Sequence, residues 1–301
     1  MRPKGLIRLL LTGCLLLLLS GCTFGATVDA LLTPPHLRGE QEQIYQALEN
    51  AVGNRITLQY PRSGDHLSAV MISDLDGDGQ DEAAVFYRKE SSLSTENALR
   101  LNLLDQADGT WMSVCDLPAE GAEVDRGFTA DIGGRQRLII GYSQVDQSDK
   151  ALVVYNYEGG TLAKSFTVSY SSFDVADLDG DDQSELLILK AAEGEHAAEA
   201  AVYVPDAQDH YTRYSLTLQG KTTEYSQVLC GNTQGKQTAI YLDGIVGATT
   251  MQTEVLQFDG KKLSYLVPTG SDAVSTIRPI GWLTMDIDQD DIPEIPVQGL
   301  F

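Results

Sequence analysis

From residue 67 onward, apolar and polar residues alternate in short runs, which is the pattern of half-buried β-strands. The runs come in sets of four, with a polar loop between the first and second run of each set. In the first set, strands are predicted at residues 68–72, 83–87, 99–104 and 111–117. The pattern therefore predicts a repeating unit of four antiparallel strands.

The polar loop recurs along the chain at regular distances. It begins at residues 74, 131, 177, 230 and 286, which are spaced by 57, 46, 53 and 56 residues. Four strands per repeat of this length is typical of a β-propeller blade, in which radial repetition protects the sheet edges. Stacked β-sandwiches have the same strand count but do not explain why the loop always follows the first strand. The prediction is an all-β propeller of about five four-stranded repeats.

The fifth repeat is incomplete. Its first strand is predicted at residues 280–285, and the sequence ends at residue 301, soon after the loop. A strand predicted at residues 56–60 either completes this last blade, as ring closure in a propeller requires, or leaves it incomplete. In the second case the ring stays open or the sequence is a fragment, and we give the incomplete ring more weight.

A short helix is predicted just before the strands. Gly39 can cap it, Glu40 and Glu42 lie in its first turn near the positive end of the helix dipole, and Gly53 ends it. One face of this helix is apolar, and it carries Ile44, Ala47, Leu48, Ala51 and Val52. We expect this face to pack against the propeller.

The N-terminus has the pattern of an export signal. A basic start is followed by the apolar run 15–19, which is too short to span a membrane. Residues 19–22, Leu-Ser-Gly-Cys, resemble the bacterial lipobox, in which the cysteine becomes the lipid-modified first residue; residues 11–14 fit the pattern with almost no apolar core before them. We expect lipidation at Cys22 and an extracytoplasmic protein anchored to the cell membrane. The alternative is an ordinary cleaved signal with an incidental cysteine.

The expected organisation follows from these segments. It consists of a lipoprotein signal peptide (1–21), a tether (22–38), the helix and a strand packed on the propeller (39–66), and the propeller itself (67–301). Cys115 and Cys230 would then lie in blades that are not neighbours, so we expect two unpaired core cysteines rather than a disulfide.

The charge of the chain is strongly negative. It has 21 basic and 43 acidic residues, a formal net charge of -22. Residues 1–21 hold three basic residues and no acidic one, so without them 18 basic residues stand against 43 acidic ones, a charge of -25. This charge disfavours nucleic acid as a partner and suits the binding of cations.

Three of the five loops carry carboxylates at positions 1, 3, 5 and 9. In the first loop these are Asp74, Asp76, Asp78 and Glu82, and the main-chain carbonyl of Gln80 stands at position 7. An oxygen-only set suits a hard divalent cation, and calcium tolerates its irregular geometry better than magnesium does. A single copy is usually a bare surface turn, but the threefold repetition argues against that.

The other two acidic loops repeat this arrangement. The corresponding metal ligands are predicted at Asp177, Asp179, Asp181, Gln183 and Glu185, and at Asp286, Asp288, Asp290, Ile292 and Glu294. Position 6 is Gly79 in the first loop but Asp182 and Asp291 in the others. If a positive φ is needed there, the latter two loops are strained, so we expect the first to bind most strongly. The loops at residues 131 and 230 lack the carboxylates and should bind no metal.

The acidic loops resemble the Asp-x-Asp/Asn-x-Asp-Gly-x-x-Asp loop of the FG-GAP or VCBS-type repeats in integrin-like β-propellers. The resemblance extends from about residue 67 to the C-terminus, and the chain also looks like VCBS-repeat lipoproteins of Gram-positive bacteria. It implies calcium as the bound ion and a loop between two strands. The chain departs from the pattern at position 9, where glutamate replaces aspartate and offers a longer arm.

Motifs of familiar catalytic sites are missing from the sequence. The four histidines, His36, His66, His196 and His210, have no zinc-ligand spacing, and there is no Gly-x-Ser-x-Gly elbow or nucleotide fingerprint. We therefore expect a calcium-binding module that binds or scaffolds an unknown protein or glycan, and not an enzyme. The alternatives are a polysaccharide- or cell-wall-directed enzyme with its site on the propeller face, and an accessory of a larger surface assembly.

Overall fold

A computed structural model describes residues 39–89, 99–144, 150–233, 237–266 and 276–297. The chain divides into two compact units, Met1–Glu42 and Gln43–Phe301, and nearly all described residues belong to the second. The expected signal peptide, the tether and Cys22 lie outside the described residues. Within the described ranges, no helix has both the length and the apolar character that a membrane crossing requires.

Helix α1 (Glu40–Val52) forms where the sequence predicts it. Gly39 and Gly53, both with positive φ, lie just outside its two ends, and the Gly53 amide donates to the Glu49 carbonyl at 2.8 Å. Most of the predicted apolar face is confirmed, because Ile44 and Leu48 are fully buried. Tyr45, Ala47 and Val52 are partly buried beside them, whereas Ala51 is exposed.

The strands form four antiparallel sheets in chain order. The first contains β1 (Ile56–Leu58), β2 (Val70–Ser73), β3 (Glu82–Lys89), β4 (Leu99–Ala107) and β5 (Thr110–Pro118). The second contains β6 (Glu123–Asp131), β7 (Gln136–Ser143), β8 (Lys150–Glu158) and β9 (Thr161–Ser169).

The remaining strands repeat this order. The third sheet contains β10 (Ser172–Ala176), β11 (Glu185–Lys190), β12 (Glu199–Pro205) and β13 (Tyr211–Thr217). The fourth contains β14 (Glu224–Asn232), β15 (Thr238–Ile245), β16 (Thr250–Phe258), β17 (Leu263–Tyr265) and β18 (Arg278–Pro279). Each sheet thus joins four consecutive strands, as the sequence predicts.

Strand β1 does not complete a last blade. It pairs with the far end of β3, where Ile56 lies opposite Lys89 and Leu58 opposite Tyr87. Strand β2 pairs only with the near half of β3, from Glu82 to Val85, so the remaining edge of this long strand is free to accept β1. The first sheet therefore has a fifth strand.

No strand forms at residues 280–285, so the prediction of one there is wrong. The chain turns at Ile280 and Gly281, and Met285 forms a single bridge with Glu294. Ile280, Trp282 and Met285 are all more than 40% exposed. Apolar residues here have no partner sheet among the described residues, so the alternating pattern does not become a strand.

Consecutive sheets pack face to face through alternate residues of their second strands. On β7, Ile140 faces the first sheet and Ile139 faces the third. On β11, Leu186 faces the second sheet and Leu187 faces the fourth. Because adjacent side chains of a strand point to opposite faces, a strand covered on both sides is apolar at nearly every position.

Both outer faces of this series are covered. Ile44 and Leu48 of α1 pack on Val85 and Tyr87 of the first sheet. On the fourth sheet, the buried Asp243 of β15 pairs with Arg278 of the edge strand β18 and accepts a hydrogen bond from the Thr284 amide beyond it. The all-β class and the four-stranded repeat are thus confirmed, whereas a propeller is not shown by contacts between the described residues and remains a prediction.

Candidate metal centre

The three acidic loops are closed in the same way. In each, the residue before position 1 pairs with the glutamate at position 9: Ser73 with Glu82, Ala176 with Glu185, and Met285 with Glu294. Antiparallel pairing therefore returns the position 9 glutamate to the start of its own loop. This return explains why the ligand pattern ends at position 9 rather than at the position 12 of an EF-hand.

The aspartate at position 1 organises each loop through both of its carboxylate oxygens. Its Oδ1 accepts a hydrogen bond at 2.7 Å from the amide at position 4, which belongs to Gly77, Gly180 or Gln289. Its Oδ2 accepts one at 2.9–3.0 Å from the amide at position 6, which belongs to Gly79, Asp182 or Asp291.

Two further carboxylates are also fixed by main-chain amides. The aspartate at position 5 accepts from the amide at position 7 at 2.8–2.9 Å, in the pairs Asp78–Gln80, Asp181–Gln183 and Asp290–Ile292. The glutamate at position 9 accepts through Oε2 from the amide at position 2 at 2.7–2.8 Å, in the pairs Glu82–Leu75, Glu185–Leu178 and Glu294–Ile287. The three loops thus share one hydrogen-bonding scheme despite their different sequences.

The backbone has a positive φ at two positions of every loop. At position 6 it is 86° for Gly79, 66° for Asp182 and 65° for Asp291, which matches the expected strain in the second and third loops. At position 4, Gln289 of the third loop also has a φ of 64°, where the other loops have glycine. The third loop therefore carries two residues in a conformation that disfavours side chains.

Carboxylate oxygens converge in all three loops. Ligand atoms lie within 4.8 Å of one another in three groups that can hold a metal ion: Asp74, Asp76 and Asp78; Asp177, Asp179 and Glu185; and Asp286, Asp288 and Asp290. Asp181 and the glutamates Glu82 and Glu294 are not members of these groups. The amides of Gln80 and Ile292 donate to members of these groups, Asp78 and Asp290, whereas the Gln183 amide donates to Asp181 outside its group.

Burial and mutual repulsion raise the pKa values of five of the loop carboxylates. Burial first, and then the neighbouring aspartates, together raise the pKa of both Glu82 and Glu185 to about 7. Burial also raises the pKa of Asp76 and Asp179. The pKa of Asp288 is raised mainly by the charge of Asp290. A cation between these groups would favour their charged forms.

Two buried carboxylate oxygens support such a cation. Glu82 is 1% exposed, and although its Oε2 accepts from the Leu75 amide, its Oε1 has no hydrogen-bond partner. Asp179 Oδ1 is likewise buried without a partner. Leaving a buried carboxylate oxygen unpaired is unfavourable, and a divalent ion would remove that cost. An all-oxygen donor set fits a hard cation.

The two loops expected to bind no metal differ from these. At residue 132 the chain forms a tight turn, closed by the Ile132 amide and the Arg135 carbonyl at 3.0 Å. The loop after residue 230 is only partly described, and neither place has a group of metal-ligating side chains among the described residues. The sequence-based reasoning missed Arg137 at the first place, although a basic residue beginning an otherwise apolar strand is a recognisable signal.

A second feature lies at the ends of the sheets away from the acidic loops. A cavity of about 530 Å³ opens between the second and third sheets, lined in part by Lys190, Glu193 and His196. Lys150 and Tyr170 also line it, and both are bonded to Asp125: the ammonium at 3.0 Å and the phenol at 2.6 Å. The sequence did not predict this cavity, because its lining residues are widely separated along the chain, from Lys150 to Thr217.

No family model and no curated protein matches the chain. Solved structures that resemble it include rhamnogalacturonan lyase YesW (16% identity, 71% of this chain and 49% of that chain, TM-score 0.35). Others are a Bacillus licheniformis rhamnogalacturonan lyase (15%, 71% and 49%, 0.34) and an exo-β-1,3-galactanase from Phanerochaete chrysosporium (11%, 72% and 55%, 0.32). The chain matches only about half the length of each of these proteins.

These similarities correct one expectation. The three neighbours are enzymes named for action on polysaccharides, so the expectation that this chain is not an enzyme does not stand. With TM-scores below 0.5, however, none of them assigns a fold or an activity to the chain. What the chain shows by itself is an all-β protein with three groups of carboxylates that can hold metal ions.

Proposed function

We propose that the chain is a binding module whose fold is stabilised by calcium, and that all three acidic loops hold calcium. The observation that carries this proposal is the shared hydrogen-bonding scheme of the loops, which fixes Oε2 of the glutamate at position 9 and leaves its Oε1 available. The unpaired Oε1 of the buried Glu82 supports it. The ligands would be the fifteen residues predicted from the sequence, with Gln80, Gln183 and Ile292 contributing main-chain carbonyls.

The location and the full architecture belong to the same proposal. The lipobox-like residues 19–22 support a lipid anchor at Cys22 and an extracytoplasmic position. The consecutive packing of four-stranded sheets supports a propeller-type arrangement of FG-GAP or VCBS-like repeats. Outside the cytoplasm, a calcium affinity of about 0.1–1 mM suffices for occupancy.

Thermal unfolding of the full chain with calcium, and with a chelator, tests the proposal. At a calcium concentration ten times the dissociation constant, each occupied site stabilises the fold by about 1.4 kcal/mol. We expect the melting temperature to rise with calcium, and to rise less when Asp76, Asp179 or Asp288 is changed to Asn. Asp81→Asn removes a charge from the first loop without touching a ligand position and is the control. A melting temperature that is the same with calcium and with chelator would contradict the proposal.

The cavity at the opposite ends of the sheets supports a second candidate, an enzyme directed at polysaccharides. Glu193, His196 and Lys190 line this cavity. Lys150 and Tyr170 line it too, and both donate hydrogen bonds to Asp125. Carboxylate and imidazole side chains are the groups that most often act as general acids and bases. The cavity faces solvent, so a chain-like substrate has access to it.

A screen of the full chain against acidic and neutral polysaccharides tests this candidate. Turnover should persist through purification and fall in Glu193→Gln, because that variant loses a carboxylate in the cavity. Glu195→Gln is the matched control, since Glu195 is exposed two residues away and is outside the cavity lining. Turnover that is absent, or equal in both variants, would exclude this cavity as the site.

A further inference from the structure

The second sheet carries an ion pair at the corner where the first and third sheets carry an acidic loop. Arg137, which is 1% exposed, donates through Nε to the Ile132 carbonyl of its own corner at 2.9 Å. Its Nη2 reaches Asp209 Oδ1 at 2.6 Å, in the turn between β12 and β13 of the third sheet. Asn156 also donates to Asp209, at 2.6 Å. A positive charge thus joins the corner of one sheet to the outer turn of the next.

The second acidic loop meets the next sheet in the same way. Gly260 lies in the turn between β16 and β17 of the fourth sheet, with a φ of +78°. A Cβ added to Gly260 would lie 2.7 Å from Asp179 Oδ2. This outer turn is therefore in direct contact with a carboxylate of the metal-binding corner before it.

The first acidic loop has the equivalent neighbour. Asp76 and Gly77 line one cavity of about 360 Å³ together with Asn156, Tyr157 and Glu158, which end strand β8 of the second sheet. Tyr157 also donates to Asp105 of the first sheet at 2.8 Å. Three successive corners thus face the outer turn of the following sheet.

Each of these outer turns carries a carboxylate. They carry Glu158, Asp209 and Asp259 in the second, third and fourth sheets. At the corner of the second sheet, the guanidinium of Arg137 neutralises Asp209. At the other two corners the facing loop supplies carboxylates in place of Arg137. The first of these corners shares its cavity with Arg135, and the outer turn at the second continues from Asp259 and Gly260 into Lys261 and Lys262.

We infer that the ions of the first and second acidic loops clamp neighbouring sheets together, as Arg137 does at the corner between them. This inference rests on the proposed function, because it needs an ion in both loops. It adds that the site extends to the next sheet: Gly260 and the residues at the end of β8 belong to the metal-binding corners. Calcium then controls the packing of the first sheet on the second and of the third on the fourth.

Hydrogen exchange of the full chain, with calcium and with chelator, tests the clamp. At ten times the dissociation constant, calcium should slow exchange about tenfold in the turns around Gly159 and Gly260, because bound ion depopulates the open state. The turn at Asp209 is the internal control, since Arg137 holds it without an ion. Arg137→Gln should speed exchange at that turn equally with and without calcium.

A pair of glycine substitutions isolates the contact. In a chain whose first and third loops are disabled by Asp76→Asn and Asp288→Asn, Gly260→Ala should weaken calcium binding to the second loop about tenfold, or about 1.4 kcal/mol. Gly109→Ala is the matched control, because Gly109 has a similar φ of +73° in the outer turn of the first sheet, with no atom within 4 Å of an added Cβ. It shares the backbone strain and should leave binding unchanged.

The outcomes separate the two proposals. If calorimetry shows calcium binding but the outer turns exchange at unchanged rates, or if the two alanine variants bind calcium equally, the clamp is wrong and the calcium sites stand. If the wild-type chain binds no calcium, the proposed function fails and the clamp with it. Calcium-dependent protection of the Gly159 and Gly260 turns, together with weakened binding in Gly260→Ala alone, supports the clamp.

Discussion

Glu82 begins β3 in surroundings that do not favour a charge. Its side chain is almost completely buried, one oxygen is bonded to the Leu75 amide, and the other has no partner. The aspartates of the same loop add their own repulsion. A carboxylate with these properties destabilises the fold when it is charged and no cation is bound. It stabilises the fold when a cation is bound to it.

Replacing Glu82 by Gln should separate these two effects. Calcium affinity at the first loop should fall at least tenfold, because a charged ligand is lost, whereas the calcium-free protein should be equally or more stable, because a buried charge is removed. Calorimetric titration in a chain with the second and third loops disabled, and thermal unfolding in chelator, measure the two quantities. Asp81→Asn, the exposed neighbour, should change neither; a large loss of calcium-free stability in Glu82→Gln would contradict this account.

The raised pKa values of Glu82 and Glu185 predict a pH dependence. In the calcium-free protein, a carboxyl whose pKa is about 7, above its ordinary value of 4.5, contributes stability below pH 4.5 that is lost as the pH rises through 7. Calcium needs the ionised form, so its apparent affinity should rise over the same range. Melting temperatures at pH 5 and pH 8, with and without calcium, measure both trends, and a calcium effect that is equal at the two pH values would be evidence against them.

At this scale, the sequence predicts part of the loop geometry. The positive φ expected at position 6 is confirmed for Gly79, Asp182 and Asp291, and the metal ligands remain a prediction. Gln289 was missed, because only the folded loop shows that position 4 also needs that conformation. Arg137 was missed because its partner, Asp209, is distant in sequence.

Single elements were mostly predictable, because alternation and turn residues are local signals. The helix and most strands fall where the pattern places them, but residues 230–232, which the sequence places at the start of a loop, lie within β14. Two errors concern apolar runs that form a strand only when a partner strand is available. Strand β1 pairs with the free edge of β3, whereas residues 280–285 pair with no sheet. A strand prediction cannot include the neighbour that the strand requires.

The segment after β17 shows how a polar contact can cover a sheet. Arg278 and Asp243 form an ion pair at 2.8 Å with both side chains fully buried. Arg278 also donates to Thr253 Oγ1 at 2.7 Å, and the Thr284 amide donates to Asp243 at 2.6 Å. Such a network holds the segment in one position on the fourth sheet and is costly to break.

Arg278→Met should therefore destabilise the protein strongly. It leaves the Asp243 carboxylate buried without its cation, which costs about 3–5 kcal/mol. Denaturant unfolding measures the loss, and Lys164→Met is the control, because the Lys164–Glu120 pair is largely exposed and should contribute less than about 1 kcal/mol. Equal losses in the two variants would show that the segment does not brace the fourth sheet.

For the molecule as a whole, charge and packing both favour a bound cation. The chain has a net charge of -22, 15 of its 43 acidic residues lie in the three acidic loops, and two of these loops face the outer turn of the next sheet. Sequence patterns predict the repeated sheets and one of the two end covers, helix α1, but not the other, which is the Arg278 segment. Such covers resemble the capping repeats of repeat proteins, which satisfy an end face that has no neighbour.

The central claim is that calcium occupies the acidic loops. The most direct test is an anomalous difference map from crystals of the full chain grown in millimolar calcium. The account predicts a peak among Asp74, Asp76, Asp78 and Glu82, and corresponding peaks in the loops that begin at Asp177 and Asp286. A map with ordered carboxylates in all three loops and no calcium peak in any of them would contradict it.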